Sequence, residues 1–192
     1  MGIQAPWKDV LIEPTKRDHL VQLYRDERAL VEAVALYAGA GLGKGEAVIT
    51  VATPSHLRAV EKRLEDQGFD VEQLQQWGQL IVEEAGRLLA AFMVNGLPDP
   101  ALFKATVGSL IQKARAAGRY PSVRAYGEMV NLIWREDVPA TARLEELWNE
   151  IINVYRISLF CAYCVDGADD ARRFPRELRA QHSHVIPLEA DA

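Results

Sequence analysis

The chain has 192 residues, 49% hydrophobic and 26% charged, with a formal net charge of −5. This is the balance of a globular protein with one sizeable core, and it lacks the basic excess that marks a nucleic-acid partner. No run approaches the roughly 18 apolar residues that cross a bilayer, and Met1–Lys16 has no apolar signal-peptide core. Two cysteines make no disulfide framework, so a cytoplasmic protein is expected.

Residues 1–17 read as an irregular leader broken by Pro6 and Pro14. Leu20, Leu23, Tyr24, Leu30, Val31, Val34 and Leu36 recur at helical spacing, which predicts a helix ending near Gly39–Gly43. Ala47–Val51 is short, apolar and β-branched, and predicts a buried first strand. Leu57, Val60 and Leu64 mark a helix stopped by Gly68. Gln79–Glu84 is a second strand, Gly86–Val94 a short helix and Asn95–Pro100 a turn. Ala101–Ala117 is an amphipathic helix closed by Gly118, and Ser122–Met129 a third strand. Leu144, Leu147, Trp148, Ile151, Ile152 and Tyr155 define another helix, and Ile157–Val165 a fourth strand. Alternation of strands and helices implies a three-layer α/β domain, residues 18–188, with a mostly parallel sheet covered on both faces.

A strand, a tight turn and a helix in that order form the setting of a phosphate-binding loop. Gly41-Leu-Gly-Lys-Gly45 has suitable residues but precedes its strand, so it reads as a turn. The segment after the strand, Ala52-Thr-Pro-Ser-His-Leu-Arg58, has no glycine and no Lys-Ser/Thr pair, and Pro54 removes one N–H donor. No ATP binding is expected. Arg124 and Glu128 on the third strand read as an edge-of-sheet ion pair or, at the strand's carboxyl end, as a ligand or magnesium contact.

Six segments together are similar to the MEDS family, the methanogen/methylotroph, DcmR-type sensory domain. They are His19-Leu-Val-Gln-Leu-Tyr24, Gly41-Leu before Gly45-Glu46, Gly127-Glu-Met-Val130 leading to Trp134, Leu144-Glu-Glu-Leu-Trp-Asn149, Cys161-Ala-Tyr163 and His182-Ser-His-Val-Ile-Pro187. The resemblance runs from about His19 to Pro187. It implies a RecA/KaiC-like core with a degenerate phosphate loop. It also implies a non-catalytic sensory role, with a small organic, hydrocarbon-derived ligand. The output partner is then a separate histidine kinase or transcription regulator, and oligomers are open.

The ligand-binding candidates are His19, Tyr24, Glu128, Trp134, Cys161, Tyr163 and His182, with the site expected at the carboxyl ends of the strands. On a helix, Tyr24 is turned about 140° from His19, so the two need not share a site. Cys161 and Cys164 are spaced as C-x-x-C, but on a strand they point to opposite faces about 10 Å apart, too far for a disulfide. Cys161 and Tyr163 share a face. His182 and His184 would lie on one side of an extended segment and, with Cys161 or His19, offer nitrogen and sulfur metal ligands; the alternative is a solvated or capping tail. Trp148 reads as core, Glu145 and Asn149 as an i, i+4 polar pair that faces solvent or, less commonly, a ligand or partner, and His56 as surface. The competing functions are a KaiC-like protein that hydrolyses ATP at a non-standard site and a ligand-free protein–protein adaptor.

Overall fold

His19–Tyr24 opens the sheet instead of a helix. All six residues are buried. Val21 and Leu23 enter one hydrophobic cluster, while Leu20 and Tyr24 enter the other. A strand buried on both faces has no polar alternation, so its leucines and valine imitate a helical stripe. The helix begins only at Glu27, where the Asp26 carboxylate caps it by accepting from Arg28 N at 2.8 Å. Ala47–Ala52 is therefore the second strand of the chain, not the first.

The computed structural model describes residues 6–115 and 118–186. In chain order these form α1 (Pro6–Ile12), β1 (His19–Tyr24), α2 (Glu27–Gly43), β2 (Ala47–Ala52), α3 (Pro54–Asp66), α4 (Val71–Gln76), β3 (Leu80–Glu84) and α5 (Ala85–Ala90). Then follow β4 (Met93–Val94), β5 (Leu97–Pro98), α6 (Pro100–Arg115), β6 (Val123–Gly127), a 3-10 turn (Met129–Leu132), α7 (Val138–Tyr155), β7 (Ser158–Cys164), α8 (Ala168–Arg173), α9 (Arg176–Arg179) and β8 (His184–Ile186). Residues 1–5, Ala116–Ala117 at the end of the predicted helix, and Pro187 with the predicted boundary at 188 lie outside the described residues.

Six strands pair in the order β3-β2-β6-β7-β1-β8, every neighbour parallel. One face packs against α5, α6 and α7 through Leu89, Phe103, Val107, Leu144 and Trp148. The other packs against α1, α2, α3 and α4 through Leu11, Val34, Tyr37, Leu64 and Leu74. This is the expected three-layer arrangement. β4 and β5 form a separate antiparallel hairpin about Asn95 (φ 50°) and Gly96 (φ 83°), the backbone that an Asn-Gly turn adopts.

The segment read as an irregular leader contains α1, whose Leu11 is fully buried against α2. Buried Arg124 ties these parts together. Its guanidinium donates to Leu11 O at 3.3 Å, to Tyr37 O at 2.9 Å and to Glu46 Oε2 at 2.5 Å. Gly41 lies inside α2 because a Cβ there would stand 2.5 Å from Arg124 Nε. The glycine–lysine stretch therefore packs and turns the chain at the amino-terminal end of β2. Arg124 does not pair with Glu128, and β6 is an inner strand. Among the described residues, no helix is long and apolar enough to cross a membrane.

Candidate functional site

Cys161 is the fourth residue of β7 and pairs in register with Val21 of β1, so its side chain and that of His19 project from the same face. Tyr163 follows on that face. Above them lies α7, and Glu145 belongs to its inward stripe with Thr141, Leu144 and Trp148. After α9 the chain delivers Gln181 and His182, then locks onto β1. Ser183 Oγ accepts from His19 N at 2.9 Å, and Ser183 N donates to His19 O at 2.7 Å.

Four of these side chains converge. One donor atom from each of His19, Glu145, Cys161 and His182 lies within 4.8 Å of all the others. Nε2 of His19 is 3.3 Å from Glu145 Oε2 and 3.4 Å from Cys161 Sγ, and Nε2 of His182 is 3.2 Å from Glu145 Oε1. The Glu145 and His182 side chains have no solvent exposure. Both rings are held from behind. Nδ1 of His182 donates to Leu178 O at 2.8 Å, and Nδ1 of His19 donates to Gln181 O at 3.1 Å and Asn149 Oδ1 at 3.0 Å. Carbonyl oxygens only accept, so each Nδ1 carries the proton and each Nε2 is turned into the cluster. The Tyr163 hydroxyl donates to Glu145 Oε1.

Burial raises the Glu145 carboxyl; in protonated form His182 and His19 beside it would outweigh burial and hold it well below the usual carboxylate range. Burial, then the Glu145 charge, pushes the Cys161 thiol well above its ordinary value, and the same two causes push up the Tyr163 phenol. Trp134 packs edge-on against Tyr163 and also against Phe174, closing this side of the cluster with aromatic surface.

The sequence candidates thus divide between two places. His19, Cys161, Tyr163 and His182 meet under α7, with Trp134 as a wall, in a group that reaches from the first residue of β1 to Tyr163 near the carboxyl end of β7. Tyr24 and Glu128 lie on the opposite face, at the carboxyl ends of β1 and β6. Tyr24 is separated from His19 because five residues along a strand reverse the face. His184 does not join His182. It is exposed on β8, 3.7 Å from Asp18. Cys164 faces away from Cys161, as strand alternation requires. Glu145 is fully buried in the cluster, and Asn149, partly buried, holds His19 from behind.

At the carboxyl ends, Glu128 accepts from Thr53 N at 2.5 Å, from His56 Nδ1 at 2.7 Å and from Tyr126 OH at 2.9 Å. His56 is buried, not a surface residue. It borders a cleft of about 320 Å³ lined also by Val31, Ser55 and Ala59, together with Glu27 and Arg28. A larger cleft of about 640 Å³ lies outside α2, between Trp7, Leu36 and Arg63, and touches neither group of candidates.

Two strand–helix turns open at this end of the sheet. Between β1 and α2 there are only Arg25 and Asp26, and Asp26 and Glu27 set two carboxylates at the helix start, where a phosphate would be repelled. Between β2 and α3 the Thr53 amide is already taken by Glu128, and Pro54 has no N–H. Neither turn has a glycine or a lysine.

A family model described as the MEthanogen/methylotroph, DcmR Sensory domain matches residues 18–183. No curated protein matches the chain in sequence. In three dimensions the chain is similar to a KaiC-like protein from the hyperthermophilic archaeon Pyrococcus horikoshii OT3. The TM-score is 0.60 at 13% identity, over 88% of this chain and 71% of that one. At that identity the likeness speaks for the fold alone, and it agrees with a RecA/KaiC-like three-layer sheet.

Proposed function

The chain belongs to the MEDS sensory-domain family, and from that premise we propose that it is a non-catalytic sensory module of a prokaryotic regulatory system. Its sensing centre is the buried cluster of His19, Glu145, Cys161, Tyr163 and His182. One observation carries this proposal: family-like segments distant in sequence each deliver a polar side chain to that one point. His19 comes from β1, Glu145 and Asn149 from α7, Cys161 and Tyr163 from β7, and His182 from the segment before β8. Buried polar groups gathered from so many elements are costly to assemble unless they serve a purpose.

The proposed ligand is a small organic molecule, hydrocarbon-derived, and the proposed output is altered affinity for a separate histidine kinase or transcription regulator. The segment that carries His182 is the natural reporter, since it contacts both the centre and the edge of the sheet. The two strand–helix turns without a phosphate cradle support a protein that does not hydrolyse nucleotide.

The test is a thermal-shift screen with short alcohols, aldehydes, amines, thiols and alkyl halides beside ATP and GTP. The expected result is a rise in Tm with a member of the organic set, abolished in Glu145→Gln. A folded protein that responds to none of them loses the ligand-sensing role. Magnesium-dependent ATP turnover that disappears in Glu128→Gln would replace it with the nucleotide-hydrolysing alternative.

A further inference from the structure

We infer that His19, Glu145, Cys161 and His182 form a binding site for one divalent transition-metal ion of the zinc class. This deepens the sensory proposal by naming what its centre holds, yet it stands on geometry alone.

The donor set is two imidazole nitrogens, one thiolate and one carboxylate, the mixture that zinc accepts in four-coordinate sites. Ligands about 2.0–2.3 Å from a tetrahedral ion stand roughly 3.3–3.7 Å from one another. Here Glu145 Oε1 is 3.2 Å from His182 Nε2, Oε2 is 3.3 Å from His19 Nε2 and 4.0 Å from Cys161 Sγ, and one donor atom from each residue lies within 4.8 Å of the rest, so the ligands close in by up to about 1 Å on binding. The outer contacts also suit metal binding. Each histidine is held at Nδ1 by a backbone carbonyl, and the carboxylate by the Tyr163 hydroxyl.

Hydrogen bonding within the protein does not account for the arrangement. His182 Nε2 is fully buried and has no hydrogen-bond partner among the described residues, although it points at Glu145 from 3.2 Å. With each Nδ1–H given to a backbone carbonyl and the ring centroids 4.1 Å apart, both Nε2 atoms are turned toward the one carboxylate, and a dication would give all three groups a common partner. With neutral imidazoles, the Glu145 carboxylate and a Cys161 thiolate, the buried charge sums to zero. Loading displaces the Cys161 proton to solvent, so each ion bound releases one proton from the thiol.

The test uses the full chain, chelator-stripped and reduced, titrated with Co²⁺ and then Zn²⁺ under competition from a chromophoric chelator. The expected cobalt form shows intense visible d–d bands of tetrahedral cobalt and near-ultraviolet thiolate-to-metal charge transfer, at one ion per chain, displaced by zinc. Cys161→Ser loses the charge transfer. His182→Asn and Glu145→Gln, each first shown to be folded by circular dichroism, weaken zinc by more than the 10- to 100-fold typical of losing an outer partner. Tyr163→Phe, which removes an outer partner only, falls within that range. A folded wild-type protein that gives only weak octahedral cobalt, or binds zinc no tighter than the His182→Asn/Cys161→Ser double variant, overturns the site. An organic ligand shift that persists without metal binding removes this inference and spares the sensory proposal. Metal binding with no organic response does the reverse.

Discussion

The protein contains two buried glutamates flanked by histidine and tyrosine, one on each face of the same sheet, and they are built on opposite logic. Glu128 accepts from three donors: a backbone amide, an imidazole N–H and a phenol. Its hydrogen-bonding capacity is met within the protein. Glu145 has one strong donor, Tyr163, and a thiol 4.0 Å away, while its two imidazole neighbours use their N–H groups elsewhere. A carboxylate served from all sides holds a structure together. One faced by acceptors is left in want of a cation. Residue type alone does not distinguish the two; the direction in which each histidine spends its proton does.

The sharpest way to break this contrast is an isosteric change at both positions. Glu128→Gln turns an amide group toward existing donors and should cost about 3 kcal/mol by denaturant unfolding, since partners lose their acceptor in a buried site. Metal-free Glu145→Gln presents an N–H to an imidazole nitrogen that lacks one and should change stability by less than about 1 kcal/mol. Equal losses at the two sites would end the distinction.

Tyr163→Phe comes next. The ring keeps its contacts with Trp134 and Phe174, so the loss reports the hydroxyl alone, and about 1–3 kcal/mol is expected in thermal unfolding. A smaller, pH-dependent effect belongs to the other face. The hydrogen bond to Glu128 raises the His56 pKa above 6.5 despite partial burial. A raised pKa contributes stability in full below the unfolded value and loses it as pH rises through the folded one. Unfolding curves taken upward from pH 6 should therefore show a decline that His56→Asn removes. A rise with pH instead would contradict the pairing. The least effect is expected at His184. Its exposed ring lies outside the metal cluster, so His184→Ala should stay within about 0.5 kcal/mol and leave zinc affinity unchanged.

Much of this was legible before any coordinates. The helices over Pro54–Asp66 and Val138–Tyr155 and the strand Ser158–Cys164 follow from periodicity and length. Alternation along that strand correctly separates Cys161 from Cys164. His19–Tyr24 was misleading because burial on both faces erases the period of two. That error also placed the first strand–helix turn after Ala52 instead of at Arg25–Asp26. Glu145 is hard to assign from sequence because acidic residues on helices usually face water. Yet it occupies the stripe between Thr141 and Trp148, a spacing visible in the sequence. Spaced i, i+2, His182 and His184 are expected on one side of an extended segment, yet His182 precedes β8 and turns inward while His184 is exposed on it, and no local pattern tells that. Convergence of residues over such distances is a property of topology, and short-range patterns do not encode it.

The pairing of β1 with β8 has a kinetic meaning. It joins His19 to Ser183 across 164 positions, a ladder of only three residues on the far edge of the sheet. Once β1 has docked on β7 only the short segment after Cys164 remains to close, and this three-residue edge ladder is expected to form after the inner strands. The cluster under α7 is then completed last, because His182 arrives with that closure. Whatever binds there acts on the unfolding limb more than on the folding limb: occupancy slows escape from the native state and leaves the rate of reaching it nearly unchanged. The centre works as a latch whose strength is written in a lifetime.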